Sequence, residues 1–444
     1  MNPFCVRRLD ERPDPLAVHA RFPDAWPFLL SSEAGSASLG RWTLLFRHDG
    51  TSLRDNRNLG ETGFLERLRR AAPVRASVPN GSERGPFPFV GGWFVYLGYE
   101  VAAEIEPRLR LPEYPGELPT AFAARCPAAL LINHFSGESW LVAETQQWLE
   151  RTLAEVSKAQ PLAACPELPT LGVEVDPPER FAAGVNRIRE WIVSGDVFQV
   201  NLSREWRISA AEPLDPIVLY RRLAHANAAP FAGLARLPGG TVISSSPERL
   251  VELRAGLVQT RPIAGTRTRG TDSQRDLDLS TELLAHPKER AEHIMLIDLE
   301  RNDLGRVCET GSIEVDELMV VESYAHVHHI VSNLRGRLRE GLHPVDVIGA
   351  VFPGGTITGC PKVRCMEIIA ELEQCGRGFY TGSMGYLGLD GSMDLNILIR
   401  SLQVQDRCAT FRTGAGIVAD SDAQAEVAET VAKARGLLRA LGQS

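Results

Sequence analysis

Two apolar stretches with strand-like alternation, Thr241 to Ser244 and Val251 to Thr260, constrain the fold of this chain more tightly than any other feature of its sequence. Read as an antiparallel pair, they leave Glu248 of the triplet Ser246-Pro247-Glu248 in the connection. They also put Pro262 to Thr266, within the stretch RPIAGTRTRG from Arg261 to Gly270, at the exit of the second strand. One carboxylic acid and one glycine turn then share the same end of a sheet. A turn carrying Gly265 allows close backbone approach to a ligand, and a loop acid on a rigid scaffold is suited to donate a proton. By themselves, these residues are also ordinary turn formers.

Further strand candidates are WTLLF (42–46), FVGGWFVYLGY (89–99), which Gly91 and Gly92 would break or bulge, AALLIN (128–133) and FQVNLS (198–203). Helical spacing runs from Glu179 to Val193, and Asp390-Gly391 inside YLGLDGSMDLNILIRSL is a hairpin signal. The mixture predicts an α/β or α+β fold with large antiparallel sheets. Five prolines and no helical period mark residues 158–178 as a linker between an N-terminal region, 1–157, and a second region, 179–444. No GxGxxG follows a strand and opens a helix, and no GxxxxGK[ST] loop is present, so neither nucleotide fold is indicated.

A chain of 444 residues that is 44% hydrophobic, 23% charged and carries a net charge of −8 without like-charge blocks does not resemble a nucleic-acid binder. No apolar run approaches the ~20 residues needed to span a bilayer. The start, MNPFCVRRLDERPDP, lacks the apolar core of a signal peptide, so the expectation is a cytoplasmic protein with its eight scattered cysteines reduced.

Two helices carry paired acids. From Lys288 to Glu300, opened by Pro287, apolar residues at 291, 294, 295 and 299 leave Glu289 and Glu292 on one face. From Asp422 to Leu441, with Ser421 as the cap, Glu426, Glu429 and Lys433 share another. Such pairs are either solvated faces or, if they converge, oxygen ligands for one hard dication such as Mg²⁺. Upstream of the second helix, Gly414-Ala415-Gly416 reads as a turn whose amides form a carboxylate-binding nest, to which Arg400 and Tyr380 could add a charged fork and a hydroxyl. An edge-strand arginine in water is the alternative. His329 in AHVHHIVSNL has the spacing of a packing histidine, with His326 and His328 on the other side, and the three lack the spacing of a zinc site.

Taken together, SPER, RPIAGTRTRG, KERAEHIMLIDLERNDLGRV, HHIVSNLRG, FPGGTITGCPKVRCMEIIAELE, DLNILIRSL and GAGIVADS closely resemble the chorismate-utilising enzymes, from about Phe181 to the end. That family includes anthranilate synthase component I, aminodeoxychorismate synthase component I, and the isochorismate and salicylate synthases. The resemblance implies an anthranilate synthase component I-like fold, with large antiparallel sheets packed face to face and helices outside. It implies Mg²⁺ held by Glu292 and Glu429, with Glu289 and Glu426 close by through water. Thr266, Tyr380, Arg400, Gly414, Gly416 and Lys433 would bind chorismate, Glu248 would help the C4 hydroxyl leave, and His329 would lie near the enolpyruvyl side. Gln199 stands where the water-using members carry a lysine base, which implies ammonia as nucleophile.

Ala264 gives the PIAGT spelling of anthranilate synthases, in place of the lysine that attacks C2 in many aminodeoxychorismate synthases. Asn201, NAAPFA (227–232), Gly355 and GSMGYL (382–387) resemble the latter branch instead, as does Leu29-Leu30-Ser31-Ser32, which lacks the glutamate of the tryptophan site. No GxCxG glutaminase motif occurs, so glutamine-derived ammonia would need a separate amidotransferase subunit. The expectation is therefore an aminodeoxychorismate synthase component I. An anthranilate synthase is the alternative, and a catalytically silent chorismate-binding subunit a remote one.

Overall fold

The computed structural model describes residues 4–32, 41–55, 62–75, 85–269, 272–323 and 327–443, and for residues 266–268, 273, 280, 288 and 327 the backbone alone. Two large sheets, every recorded pairing antiparallel, form its centre. The first has 12 strands, beginning in spatial order with Cys5–Leu9, Ser139–Ala143, Ala128–Asn133, Trp42–Arg47 and Phe28–Ser31. It continues through Phe231–Leu237, Gly240–Ser246, Ser401–Gln405, Cys408–Ile417 and Gln199–Ala210. The second has 10 strands and joins Gly92–Leu97, Ala121–Cys126 and Ser52–Asp55 to later strands, Ile263–Thr268 and Val327–Arg337 among them.

The sheets pack face to face through aromatic side chains. Phe28 of the first stacks on Phe94 of the second with ring centroids 4.0 Å apart, and Phe46 meets Phe89 edge-on at 4.9 Å. Helices cover the outer faces, with Gln146–Val156, Pro216–Ala226 and Ala423–Ala440 over the first sheet and Phe64–Ala71, Pro287–Gly305 and Pro344–Val351 over the second. Sheets covered on both sides explain why WTLLFR, GWFVYL and AALLIN are apolar runs rather than alternations, since every residue of these strands is buried.

Several expectations change. Strands Gly240–Ser246 and Arg249–Arg254 are not partners: one belongs to each sheet, and Val251 to Thr260 divides into Arg249–Arg254 and Leu257–Thr260 around a turn with Ala255 and Gly256 at positive φ. Within 158–178, Leu171–Val175 forms a strand against Trp206–Ala210, and residues on either side of this segment share both sheets. The hairpin at Asp390-Gly391 forms as read, pairing Gly385 with Leu395. All eight cysteines are free thiols. Among the described residues, no helix is long and apolar enough to cross a membrane.

Candidate active site

The chain passes between the sheets twice at one seam. Strand Gly240–Ser246 ends in the first sheet, Pro247 and Glu248 cross, and Arg249–Arg254 begins in the second. Strand Met393–Asn396 ends in the second sheet, residues 397–400 cross back, and Ser401–Gln405 continues in the first. The crossings lie side by side because the flanking strands pair, Ser244 opposite Ser401 and Arg249 opposite Asn396. The Ile397 amide donates to the Glu248 carbonyl at 3.0 Å and the Ser245 amide to the Arg400 carbonyl at 3.1 Å. Pro247 cannot donate to a ladder, and Arg400 has φ 51, a turn that non-glycine residues seldom make. One acid and one guanidinium are thus delivered to the same opening.

Glu248 is 5% exposed, and the Thr356 hydroxyl donates to its Oε1 at 2.8 Å. Burial, reinforced by nearby Glu300, pushes its carboxyl up to about 8, so it carries a proton at neutral pH. Beside it, strand Ile263–Thr268 pairs with Val327–Arg337 through a bulge between Ala264 and Thr266, so Gly265 lies inside a strand rather than in a terminal turn. Its φ of 66 and the Glu289 carboxylate, 2.9 Å from where a Cβ would stand, account for the glycine. The half-buried Ala264 presents a methyl group; the Thr266 side chain lies outside the described residues. His329, opposite Thr266, is pushed down to about 4 by burial and by Arg400, so it is neutral. His328 is engaged by Asp276 at 2.9 Å, and His326 lies outside the described residues.

Gly414-Ala415-Gly416 is not a turn. It continues strand Cys408–Ile417, with Gly414 opposite Ser203 and Gly416 opposite Asn201. The glycines make room instead of a nest: a Cβ at Gly414 would lie 2.8 Å from the Tyr380 hydroxyl and 3.0 Å from Asn201 Oδ1, and one at Gly416 would lie 2.4 Å from Gln199 Nε2. Gln199 Oε1 and Asn201 Oδ1 are buried acceptors without a hydrogen-bond partner. Lys433 Nζ donates to the Gly414 carbonyl at 2.9 Å and pairs with Glu429 at 2.6 Å, while Arg400 donates to the Lys433 carbonyl at 2.7 Å. Glu429 and Tyr380 are also close enough to Arg400 to oppose the lowering that burial imposes on its guanidinium. Arg400, Tyr380, Gly414, Lys433 and Glu429 therefore meet.

Sequence reasoning missed the support beneath them. Arg377 and Glu373, each 1% exposed, pair at 2.7 Å, and Arg377 also donates to the Asn201 carbonyl at 2.8 Å and lies 5.5 Å from the Tyr380 ring centroid. Arg412 adds a second cation, and the two together hold Glu373 below its ordinary value although burial opposes it. It also missed the buried stripe of helix Pro287–Gly305. Ile294 is 52% exposed, and the face turned inward carries His293, Leu296, Ile297, Glu300, Asp303 and Leu304. A search for apolar periodicity overlooks a stripe with three titratable side chains in it.

The helix Ala423–Ala440 is capped by Asp422, which accepts from the Gln424 and Ala425 amides, rather than by Ser421. Glu289 and Glu292 are half-buried, Glu426 is half-buried and Glu429 exposed. Among the described residues, no three acidic, imidazole or thiol groups are gathered to hold a metal. The donor set nevertheless fits a hard cation: four carboxylates on two helices, one of them against Gly265 beside His329 and another against Lys433 and Arg400.

The profile of a family described as chorismate binding enzyme matches residues 31–439. Aminodeoxychorismate synthase component 1 of Bacillus subtilis is 41% identical over 369 residues, 80% of this chain and 78% of that protein. Anthranilate synthase component 1 of Streptomyces coelicolor is 38% identical over 457 residues, 98% of this chain and 87% of that protein. Among solved structures, anthranilate synthase component I from Streptococcus pneumoniae superposes with a TM-score of 0.79 at 30% identity, covering 90% of this chain and 92% of that one.

Proposed function

Since the chain belongs to the chorismate-binding enzymes, we propose that it is an aminodeoxychorismate synthase component I, turning chorismate and ammonia into 4-amino-4-deoxychorismate on the route to p-aminobenzoate and folate. The observation that carries the choice of nucleophile is the pair of buried, unpartnered amide acceptors, Gln199 Oε1 and Asn201 Oδ1, beside the glycine strand. They suit the N–H groups of ammonia, and a neutral amide cannot deprotonate water. The spelling of Asn201, NAAPFA and Gly355 supports the aminodeoxychorismate branch, as does Ser31, whose hydroxyl is engaged by Thr43 at 3.0 Å where the tryptophan-regulated branch has a glutamate.

In this reading Arg400, Tyr380 and Lys433, with the space at Gly414 and Gly416, bind and orient the substrate carboxylates. Glu292 and Glu429 would hold Mg²⁺, with Glu289 and Glu426 nearby, and the ion would supply positive charge against the substrate's anionic groups. An ammonia nitrogen forms a bond to C2 while both double bonds of the ring diene shift and the C4–O bond breaks. The oxygen takes the Glu248 proton and leaves as water; the added nitrogen returns a proton to Glu248. A second ammonia then bonds to C4 as both double bonds shift back, the first leaves C2 as ammonia with the proton of Glu248, and the new C4 ammonium returns a proton to Glu248. His329, neutral, lines the opening without competing for the carboxylates as a cation would.

Ala264 has no nucleophilic atom, so the C2 adduct is the free 2-amino-2-deoxyisochorismate rather than an enzyme ester or amine. The ammonia would come from a separate glutamine amidotransferase subunit, and ammonium salts would replace it in vitro. Protein mass spectrometry during turnover should show no substrate-derived mass, and 2-amino-2-deoxyisochorismate supplied with ammonium should be converted to 4-amino-4-deoxychorismate. Conversion of that compound to anthranilate and pyruvate alone would favour the other branch, which the 38% identity to an anthranilate synthase keeps as the second reading.

A further inference from the structure

We infer that Glu300 is a positioning residue for Glu248, holding a second carboxyl behind the Gly355–Thr356 step so that the proton stays on Glu248 until the hydroxyl departs. The inference rests on the reading of Glu248 as the acid. Both carboxyls are buried, 5% exposed for Glu248 and 7% for Glu300. The Thr356 hydroxyl donates to Glu248 Oε1 at 2.8 Å; one residue earlier the Gly355 amide faces Glu300, and a Cβ there would lie 3.3 Å from Glu300 Oε1. Consecutive residues of one segment therefore hold the two acids.

Behind Glu300, Asp303 is paired with Lys362, which also donates to the Val351 carbonyl at 3.0 Å. This pair opens onto a cavity of about 380 Å³ lined by Leu299, Phe352 and Pro353. The charged groups around the two acids are thus Asp303 and Lys362 on the side of Glu300 and Lys433 on the side of Glu248. Three buried carboxyls with one lysine directly paired are costly to keep, and such an arrangement marks a working site more often than a structural one. Burial and Asp303 push Glu300 up, and burial and Glu300 push Glu248 up, so a negative charge on Glu300 favours the protonated form of Glu248.

The test is the pH profile of turnover of the full chain with chorismate, Mg²⁺ and ammonium, with rates expressed per free ammonia. Wild type should lose activity as Glu248 ionises on the alkaline side. Glu300→Gln should move that limb towards acid by about one pH unit, costing about tenfold on the alkaline side and little on the acid side. Glu300→Met, of similar volume and without a charge, should move it the same way and serves if Glu300→Gln does not fold; Glu300→Asp should keep the wild-type limb. A loss that is uniform across pH in the folded variants, with the limb unmoved, would overturn the positioning role. A wild-type profile without an alkaline limb would instead remove the assignment of Glu248, and this inference with it.

Discussion

At the scale of single residues, the role proposed for Glu248 demands an acid in a place where carboxylates are poorly solvated. Its folded value, about 8, lies above the ordinary 4.5. A carboxyl shifted upward contributes most to stability below its unfolded value, and that contribution is lost as pH rises through 8, when a buried group must ionise. Glu248→Gln keeps the shape and cannot ionise. It should lower turnover by ~10² to 10⁴-fold with substrate binding kept, the range for loss of a positioned general acid. The thermal midpoint of the variant relative to wild type should increase between pH 5 and pH 8 and then level off. A defect confined to the Michaelis constant, with midpoints that move in parallel, would make Glu248 a binding residue.

At the scale of elements, the site is assembled by two crossings, one glycine strand and two helices. In the proposed reading the helices divide the holding of Mg²⁺, since Pro287–Gly305 carries Glu292 and Ala423–Ala440 carries Glu429. Glu292→Gln and Glu429→Gln should each abolish Mg²⁺-dependent turnover and weaken Mg²⁺ binding measured by calorimetry, with unchanged circular dichroism, because few protein carboxylates share the charge of such an ion. Wild-type turnover at ordinary Mg²⁺ in either variant would contradict the assignment.

Much at this scale was legible in the sequence. Glu248 stood out through its place in a connection and the two helices as elements, although the inward stripe of the first helix, the Asp422 cap of the second and the strand setting of Gly265 were misread. The exchange of strands between sheets was not legible, because it is fixed by pairings such as Arg249 with Asn396, distant in sequence and invisible to periodicity. The glycine strand was misread as a nest because Gly-Ala-Gly marks a turn as readily as a strand that something must approach closely. Glu300, Asp303 and Arg377 escaped because charged residues on a buried face imitate a solvated one until their partners are known.

For the whole molecule, the two regions on either side of residues 158–178 build both sheets together, so the seam holding Glu248 and Arg400 depends on the entire sandwich. Relatives named for different products match this one chain, an aminodeoxychorismate synthase at 41% identity and an anthranilate synthase at 38%. In the proposed reading the product is decided by a few side chains, Gln199, Asn201 and Ala264 among them, and a direct measurement of the product tests it. The full chain, incubated with chorismate, Mg²⁺ and ammonium and no other enzyme, should accumulate 4-amino-4-deoxychorismate, releasing p-aminobenzoate and pyruvate only when an aminodeoxychorismate lyase is added. Anthranilate fluorescence with stoichiometric pyruvate in the absence of any lyase would contradict the account.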